Sequence, residues 1–323
     1  MSDKVLHTVV TGANGFVGRA LVRRLLGDRS SPAQQLTLID QRFDAAPAAP
    51  NVRQVCGSFG DTALLDQVLA LPADRVFHLA SVPGSLAERE PALGHQVNLL
   101  ATLALAERLV QQARQGGPLA RLVFASSVAV YGPLGTAAVH EDQPAQPALT
   151  YGAHKLMTEI ALADASRRGE LDAVSLRLPG IVARPASESG HGSAFMSLVM
   201  HRIAAGEPYV CPVPLDATAW WMSLPCCVDN LLHAATMATS AAPSSRSWQL
   251  PVLQLGMEQV LAALARRYGE QRRALVSHAP DAAITALFGR YPPLHTPAAL
   301  AAGFRHDGDA ERLVAAALAD YQV

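Results

Sequence analysis

The chain has 323 residues, of which half are hydrophobic and 16% charged, a composition that suits a compact folded protein and excludes an extended disordered one. With 26 Lys and Arg against 27 Asp and Glu, the formal net charge is −1, and no Lys/Arg-rich block appears. The electrostatic footprint of a nucleic-acid-binding surface is therefore missing.

Val5–Thr11 is a predicted strand, and Phe16–Leu26 a helix with Val17, Leu21 and Leu25 on one side. Further strands are predicted at Leu36–Asp40, Val52–Gly57, Arg75–Ser81, Arg121–Ser127 and Ala173–Pro179. Helices at Thr62–Leu71, Gln96–Gln112 and Tyr151–Arg168 alternate with them. Such alternation argues for an α/β fold with a parallel sheet covered on both faces. After Pro179 the pattern breaks into a segment rich in Gly, Pro, Ser and His, with one helical stretch at Phe195–Ala205. Asp229–Ala238 reads as a helix with an acidic cap, and the tail holds helices at Met257–Tyr268 and Asp309–Tyr321. The expected organisation is a nucleotide-binding domain over 1–180 and 226–250, with a smaller, partly interleaved substrate-binding region over 181–225 and 251–323.

No run approaches the roughly 18 apolar residues of a membrane span, and MSDKVLHTVV lacks the pattern of a secretory leader. Cys56, Cys211, Cys226 and Cys227 show neither CxxC nor Cys/His ligand spacing. Reduced thiols in a cytoplasmic protein are the expectation.

The stretch TVVTGANGFVGRALVRRLL places Gly12, Gly15 and Gly18 between a strand and a helix. In a dinucleotide-binding turn the first glycine permits the tight turn, the second admits the pyrophosphate, and the third lets helix and strand pack closely. The pyrophosphate then meets free N–H groups at the positive end of the helix dipole. Asn14, Phe16 and Val17 belong to the same turn. The fold implied is a Rossmann-type doubly wound sheet. Asp40, at the end of the second strand, suits the carboxylate that accepts from a ribose 2′-hydroxyl and repels a 2′-phosphate. This favours NAD over NADP, although Arg42 is close by.

Two further stretches supply chemistry. YGAHK sets Tyr151 and Lys155 one helical turn apart on one face. A neighbouring ammonium, together with a positive nicotinamide, favours a phenolate, which can take the proton of a substrate alcohol as hydride leaves its carbon. FASSVAVYG ends the fifth strand at the carboxyl edge of the sheet, where open α/β folds bind ligands. Ser127 there can hold the reacting oxygen, with Ser126 beside it.

Taken in order, these three motifs resemble the extended short-chain dehydrogenase/reductase superfamily, which contains nucleotide-sugar epimerases and dehydratases. The resemblance covers about the first 180 residues. It implies that Leu79 and Ala80 line the adenosine side, that Lys155 reaches the nicotinamide ribose, and that Pro179 passes the nicotinamide. Asn98 falls where the family has a helix asparagine, with a structural hydrogen bond or a catalytic relay as its two readings. One departure is the absence of the usual Gly-Asp after the third strand. Here Gly57-Ser58-Phe59 stands in its place, leaving Ser58 and Phe59 to meet the adenine side and Asp61 three positions later.

Dehydratases of the superfamily carry Asp-Glu beside the serine, and this chain has Val128-Ala129, so elimination is not expected. Epimerases show an asparagine after the sixth strand, and this chain reads LRLPGIVARP. Between Ile181 and Leu224 only Arg184 and Arg202 are basic, which suits a small substrate better than a nucleotide diphosphate. Cys211–Ala235, SVPGSLAE, LRLPGIVARP and GFRHDGD are similar to the D-erythronate dehydrogenase group. That resemblance implies NAD-dependent oxidation of a four-carbon sugar acid at the hydroxyl next to the carboxylate. Candidate donors for such a substrate are Ser81, Ser126, Ser127, Tyr151, Arg184, His191 and Ser193. Arg184 reads equally as an ion-pair residue and His191 as a solvated loop residue.

Trp220 and Trp221 are expected to pack, His78 to be a satisfied core histidine, and His140, Glu141 and Asp142 to form a solvated loop. No metal is expected. By resemblance, a homodimer would form through the helices at Gln96–Gln112 and Tyr151–Arg168. Alternatives to the dehydrogenase are a nucleotide-sugar 4-epimerase and a non-catalytic NAD-sensing regulator; regulators of this fold commonly lose the Tyr/Lys pair retained here.

Overall fold

The computed structural model describes residues 5–27, 34–44, 49–185, 192–240 and 242–319. Two compact units share the chain by exchanging segments. Met1–Val130, Ala145–Arg177 and Leu231–Trp248 form the first; Tyr131–Pro144, Leu178–Asn230 and Gln249–Val323 form the second.

The first unit is built on β1 (Leu6–Thr11), β2 (Gln34–Asp40), β3 (Val52–Cys56), β4 (Arg75–His78), β5 (Arg121–Ser127), β6 (Asp172–Leu178) and β7 (Ser247–Gln249). They lie in the order β7-β6-β5-β4-β1-β2-β3. β1 pairs with β2 and β4, β2 with β3, and β4 with β5, all parallel. Strands covered on both faces must be apolar throughout, and Val9, Val10, Leu36, Phe77 and Val123 are all fully buried. The main helices are α1 (Phe16–Gly27), α2 (Thr62–Leu69), α3 (Thr102–Arg114) and α4 (Thr150–Arg167). Val9, Val76 and Phe124 from the strands share one core with Leu65, Leu109 and Leu162 from the helices. This is the expected Rossmann-type sheet, whose order reverses between β1 and β4, the place where such folds bind ligands.

Two local departures from the sequence reading occur beside that crevice. β4 ends at His78 rather than Ser81, because the next residues leave the sheet and are captured from outside it. Asn98 Oδ1 accepts from the Val82 amide at 2.7 Å, and its Nδ2 donates to the Val82 carbonyl at 3.0 Å. The expected helix at Gln96–Gln112 is in turn extended and irregular. It is preceded by Gly84–Arg89 and Pro91–Gly94, and widens to a π-helix over His95–Ala101 before α3.

In the second unit, Gly180–Val182 and Leu253–Gly256 flank the central strand Thr218–Ser223. The core gathers Phe195, Met200, Trp221, Val260 and Leu264. Both neighbouring tryptophans are packing residues: Trp220 Nε1 donates to Pro292 O at 2.7 Å and Trp221 Nε1 to Leu255 O at 3.2 Å.

The helix expected from Asp229 begins earlier, spanning Leu224–Ala234, so Asp229 lies within it and is not its cap. Ser223 has that place, its Oγ accepting from the Cys226 amide at 3.2 Å. Asn230 on this helix pins the GFRHDGD segment, accepting from Arg305 N and donating to Arg305 O, both at 2.9 Å. Glu141 is likewise not a solvated loop residue. Its carboxylate accepts from the Ala298 and Ala299 amides at 2.6 and 3.0 Å, satisfying the start of the helix Pro297–Ala301. The last helix is shorter than expected, Ala310–Ala317, with Asp309 as its cap. Among the described residues no helix is long and apolar enough to cross a membrane, and no group of three His, Cys, Asp or Glu could hold a metal ion.

Candidate active site

The three glycines differ in what the protein itself requires of them. Gly12 has φ +71°, and a Cβ there would come within 2.6 Å of the Ala80 amide nitrogen. A Cβ on Gly18 would overlap the Gly12 carbonyl oxygen and stand 2.9 Å from Ala13. Both are therefore dictated by internal packing. Gly15 is exposed, and its Cβ would meet only the Gly12 oxygen, at 3.2 Å. Its open face leaves room for a diphosphate. The turn itself is anchored on β2, with Gly12 N and Ala13 N both donating to Ile39 O, at 2.9 and 3.2 Å.

At the end of β2, Asp40 Oδ2 accepts from Asn14 N at 2.8 Å and Oδ1 accepts from Gln41 N at 2.7 Å. Its carboxylate thus stands directly beside the glycine turn. Arg42, the nearby cation, is drawn to Asp44 at 3.7 Å on an exposed surface. Across β3, Ser58 Oγ accepts from Gly60 N at 3.2 Å, and Phe59 packs edge-on against His78. Asp61 caps α2, accepting from Ala63 N and Leu64 N at 2.9 and 3.4 Å, so its carboxylate is committed to the helix.

Leu79 and Ala80 lie half-buried where the chain leaves β4. Next to them Ser81 Oγ donates to Val82 O at 3.2 Å. His78 is a satisfied core histidine, hydrogen-bonded on both ring nitrogens, to Thr11 at 2.6 Å and Thr102 at 2.9 Å. Burial, reinforced by the Lys155 charge, pushes its pKa down to about 3.

Ser127 ends β5, its Oγ accepting from Ala129 N at 3.1 Å as the chain turns. α4 presses directly on that turn, because the residue after Tyr151 is Gly152, where any Cβ would overlap Ala129 O. Tyr151 also meets Gly84, with 3.7 Å from Tyr151 Cβ and Cγ to a Cβ built there. Glu88 accepts from Thr150 N at 2.5 Å at the start of the same helix. One turn on, Lys155 is 2% exposed and donates to Ala125 O at 2.7 Å. Its Nζ lies 4.7 Å from the Phe124 ring centre and 5.4 Å from that of Tyr151. Burial pushes the Lys155 ammonium below its usual range, while Tyr151 and Glu159 oppose that shift. Among the described residues none hydrogen-bonds the Tyr151 hydroxyl, so the phenol is left available to a ligand.

Ser126 does not join this group. It is 2% exposed and its hydroxyl donates to Glu159, because consecutive residues of a strand face opposite ways. Asn98 is engaged on both amide atoms by Val82, which is the structural reading of that residue. Pro179, Arg184 and Ser193 belong to the second unit. There Arg184 N donates to Ser197 Oγ at 3.1 Å, and its carbonyl is 2.9 Å from His201 Nε2. His191 lies outside the described residues. Glu159 and Arg177 were not anticipated, although Glu159 follows Tyr151 and Lys155 at four-residue spacing on the same helical face.

A family model described as the NAD dependent epimerase/dehydratase family matches residues 8–223, which takes in the glycine turn, Ser127, Tyr151 and Lys155. The chain belongs to this family. Two similar members are D-erythronate dehydrogenases. That of Haemophilus influenzae is 30% identical, with 96% of this chain and 98% of the relative covered. That of Cupriavidus necator is 32% identical over 98% of both. Among solved structures, the nucleoside-diphosphate-sugar epimerase of Agrobacterium tumefaciens superposes with a TM-score of 0.92 at 28% identity, covering 98% of this chain and 94% of its own. This family member is an NAD-dependent dehydrogenase, and NAD is its cofactor. The open face of Gly15 and the Asp40 carboxylate suit a dinucleotide without a 2′-phosphate.

Proposed function

We propose that this dehydrogenase oxidises a small polyhydroxy acid, D-erythronate foremost, to its 2-oxo acid. The observation that carries the reading is the placement of Tyr151 over a buried Lys155, which is fastened to Ala125 O on β5, the strand that ends in Ser127. Two relatives named for that activity, similar over nearly the whole chain, support the substrate.

Bound NAD supplies the hydride acceptor. Ser127 Oγ donates to the substrate oxygen and fixes it against the phenol. Tyr151 removes the hydroxyl proton as the carbonyl forms. Lys155, held by the Ala125 carbonyl, stabilises the charge that the phenol carries in doing so, and would hold the nicotinamide ribose when NAD is bound. The first unit would hold NAD through Gly12, Asn14, Gly15, Phe16, Val17, Gly18 and Asp40, with Ser58, Phe59, Leu79 and Ala80 as further contacts. Ser81, Arg184, His191 and Ser193 are the proposed donors to the substrate's carboxylate and hydroxyls. Arg202, the other cation of that stretch, is committed to Glu207, which again favours a small acid over a diphosphate.

Purified protein given NAD and D-erythronate is expected to accumulate reduced nicotinamide, read by absorbance. No signal across the four-carbon sugar acids would remove the substrate assignment. A nucleotide-sugar 4-epimerase is the second reading, favoured by the Agrobacterium tumefaciens superposition. It would interconvert a sugar nucleotide while retaining its cofactor, with no net reduction of added NAD.

We further propose a cytoplasmic homodimer. Leu100 on the π-helix and Met157 and Ile160 on α4 are 43%, 43% and 63% exposed on two helices that pack together, an apolar surface suited to a second copy. Light scattering is expected to give the mass of two chains; a single-chain mass at micromolar concentration would reject this.

A further inference from the structure

Behind the proposed catalytic set lies a buried polar group that the reaction as described does not use. Glu159 is 3% exposed and sits on α4 one turn beyond Lys155 and two beyond Tyr151. It accepts from the Ser126 hydroxyl, on β5 immediately before Ser127. Arg177, on β6, donates to both of its oxygens: Nε at 3.1 and 3.3 Å, and Nη2 to Oε2 at 2.8 Å. A buried carboxylate is costly unless fully paired, and replacing such a pair by apolar side chains often costs nothing. Its presence one turn below a buried ammonium therefore asks for a reason beyond stability.

We propose that Glu159 is a positioning residue for the reaction: clamped between Ser126 and Arg177, it anchors the end of β5 that carries Ser127 and supplies the negative charge against which Lys155 is held. Both arms follow from the geometry. Ser126 and Ala125 are adjacent residues of β5, one tied to Glu159 and the other to Lys155 Nζ, so a single strand segment is fastened to α4 at two consecutive turns. The strand end cannot slide along the helix without breaking both bonds.

The charge around Lys155 has few sources. Tyr151 and Glu159 face it from its own helix, the neutral His78 from β4, and the Phe124 ring and Ala125 carbonyl from β5. Arg177 from β6 is the partner of Glu159. Glu159 is the carboxylate of that group. Burial works against the ammonium, and the carboxylate works for it. An ammonium kept charged can offset the charge that Tyr151 carries as it takes the substrate's proton.

The role rests on the Tyr151 reading, so the test includes a readout that needs no turnover. Glu159→Gln keeps the shape and can still hydrogen-bond Ser126 and Arg177, but loses the charge. The chain has only two lysines, Lys4 and Lys155, so NMR of isotope-labelled lysine resolves the Lys155 ammonium directly. In Glu159→Gln its titration midpoint is expected to fall by on the order of one pH unit. With D-erythronate and NAD, kcat is expected to drop on the order of tenfold, with NAD affinity within about threefold. The acid limb of the pH–rate profile should shift, and Glu159→Asp should recover part of each effect. A purely structural role would lower the melting temperature while leaving the Lys155 midpoint and the acid limb where they are in the unaltered protein. An unmoved midpoint in a folded Glu159→Gln rejects the proposal. If Tyr151→Phe is inactive yet Glu159→Gln leaves the acid limb in place, the positioning role alone fails. If Tyr151→Phe stays active, the base assignment fails and takes this role with it.

Discussion

Tyr151→Phe is expected to reduce turnover by about 100- to 10,000-fold, the usual range for losing a general base, or about 3–5 kcal/mol in the barrier. The change removes one oxygen and leaves the ring. Packing against the Gly84 segment and the Lys155 contact therefore persist, and no hydrogen bond within the described protein is broken by it. Melting temperature and NAD affinity should accordingly stay close to those of the unaltered enzyme. The measurement is steady-state reduction of NAD beside calorimetric titration with NAD. Turnover within a few-fold of normal would show that the proton goes elsewhere.

The second large effect separates two glycines of one motif. Gly18→Ala places a methyl group into the Gly12 carbonyl oxygen and against Ala13, both backbone atoms that cannot swing aside. Overpacking of this kind costs about 1–3 kcal/mol or more. Both the melting temperature and NAD binding should fall, the latter by at least about tenfold. Gly15→Ala meets only one protein atom, at 3.2 Å, and projects from an exposed position. It should leave melting nearly unchanged yet still weaken NAD binding by about tenfold, roughly 1.4 kcal/mol, because the methyl group occupies the face a diphosphate approaches. Equal loss of stability in both variants would contradict the division of roles between them.

The parts that long, regular periodicity governs were legible in the sequence. β1, β2, β5 and α4 match their expected bounds within a residue or two, and Phe195–Ala205 and Met257–Tyr268 match at both ends. The order of Gly12–Gly18, Ser127 and Tyr151–Lys155 was equally plain. What was missed depends on contacts distant in sequence. Nothing local in LASV says that β4 stops at His78, since its end is set by Asn98 sixteen residues beyond Val82. The helix at Leu224 did leave a trace, a serine followed two residues later by a proline, but apolar Cys226–Val228 obscured it. Ser126 could have been excluded by strand alternation alone. Glu159 could have been found by extending the Tyr-Lys spacing one turn. The short pieces Ala282–Phe288 and Pro297–Ala301 are below the length at which periodicity is readable.

The exchange of segments between the two units bears on how the polypeptide is made. The chain passes from one unit to the other at Val130, Pro144, Arg177, Asn230 and Trp248. During synthesis, β1 to β5 can gather early, but the edge strand β7 leaves the ribosome only after two of the three segments of the other unit. Neither half can be finished by an uninterrupted stretch of translation, and no single cut of the gene would release either one whole.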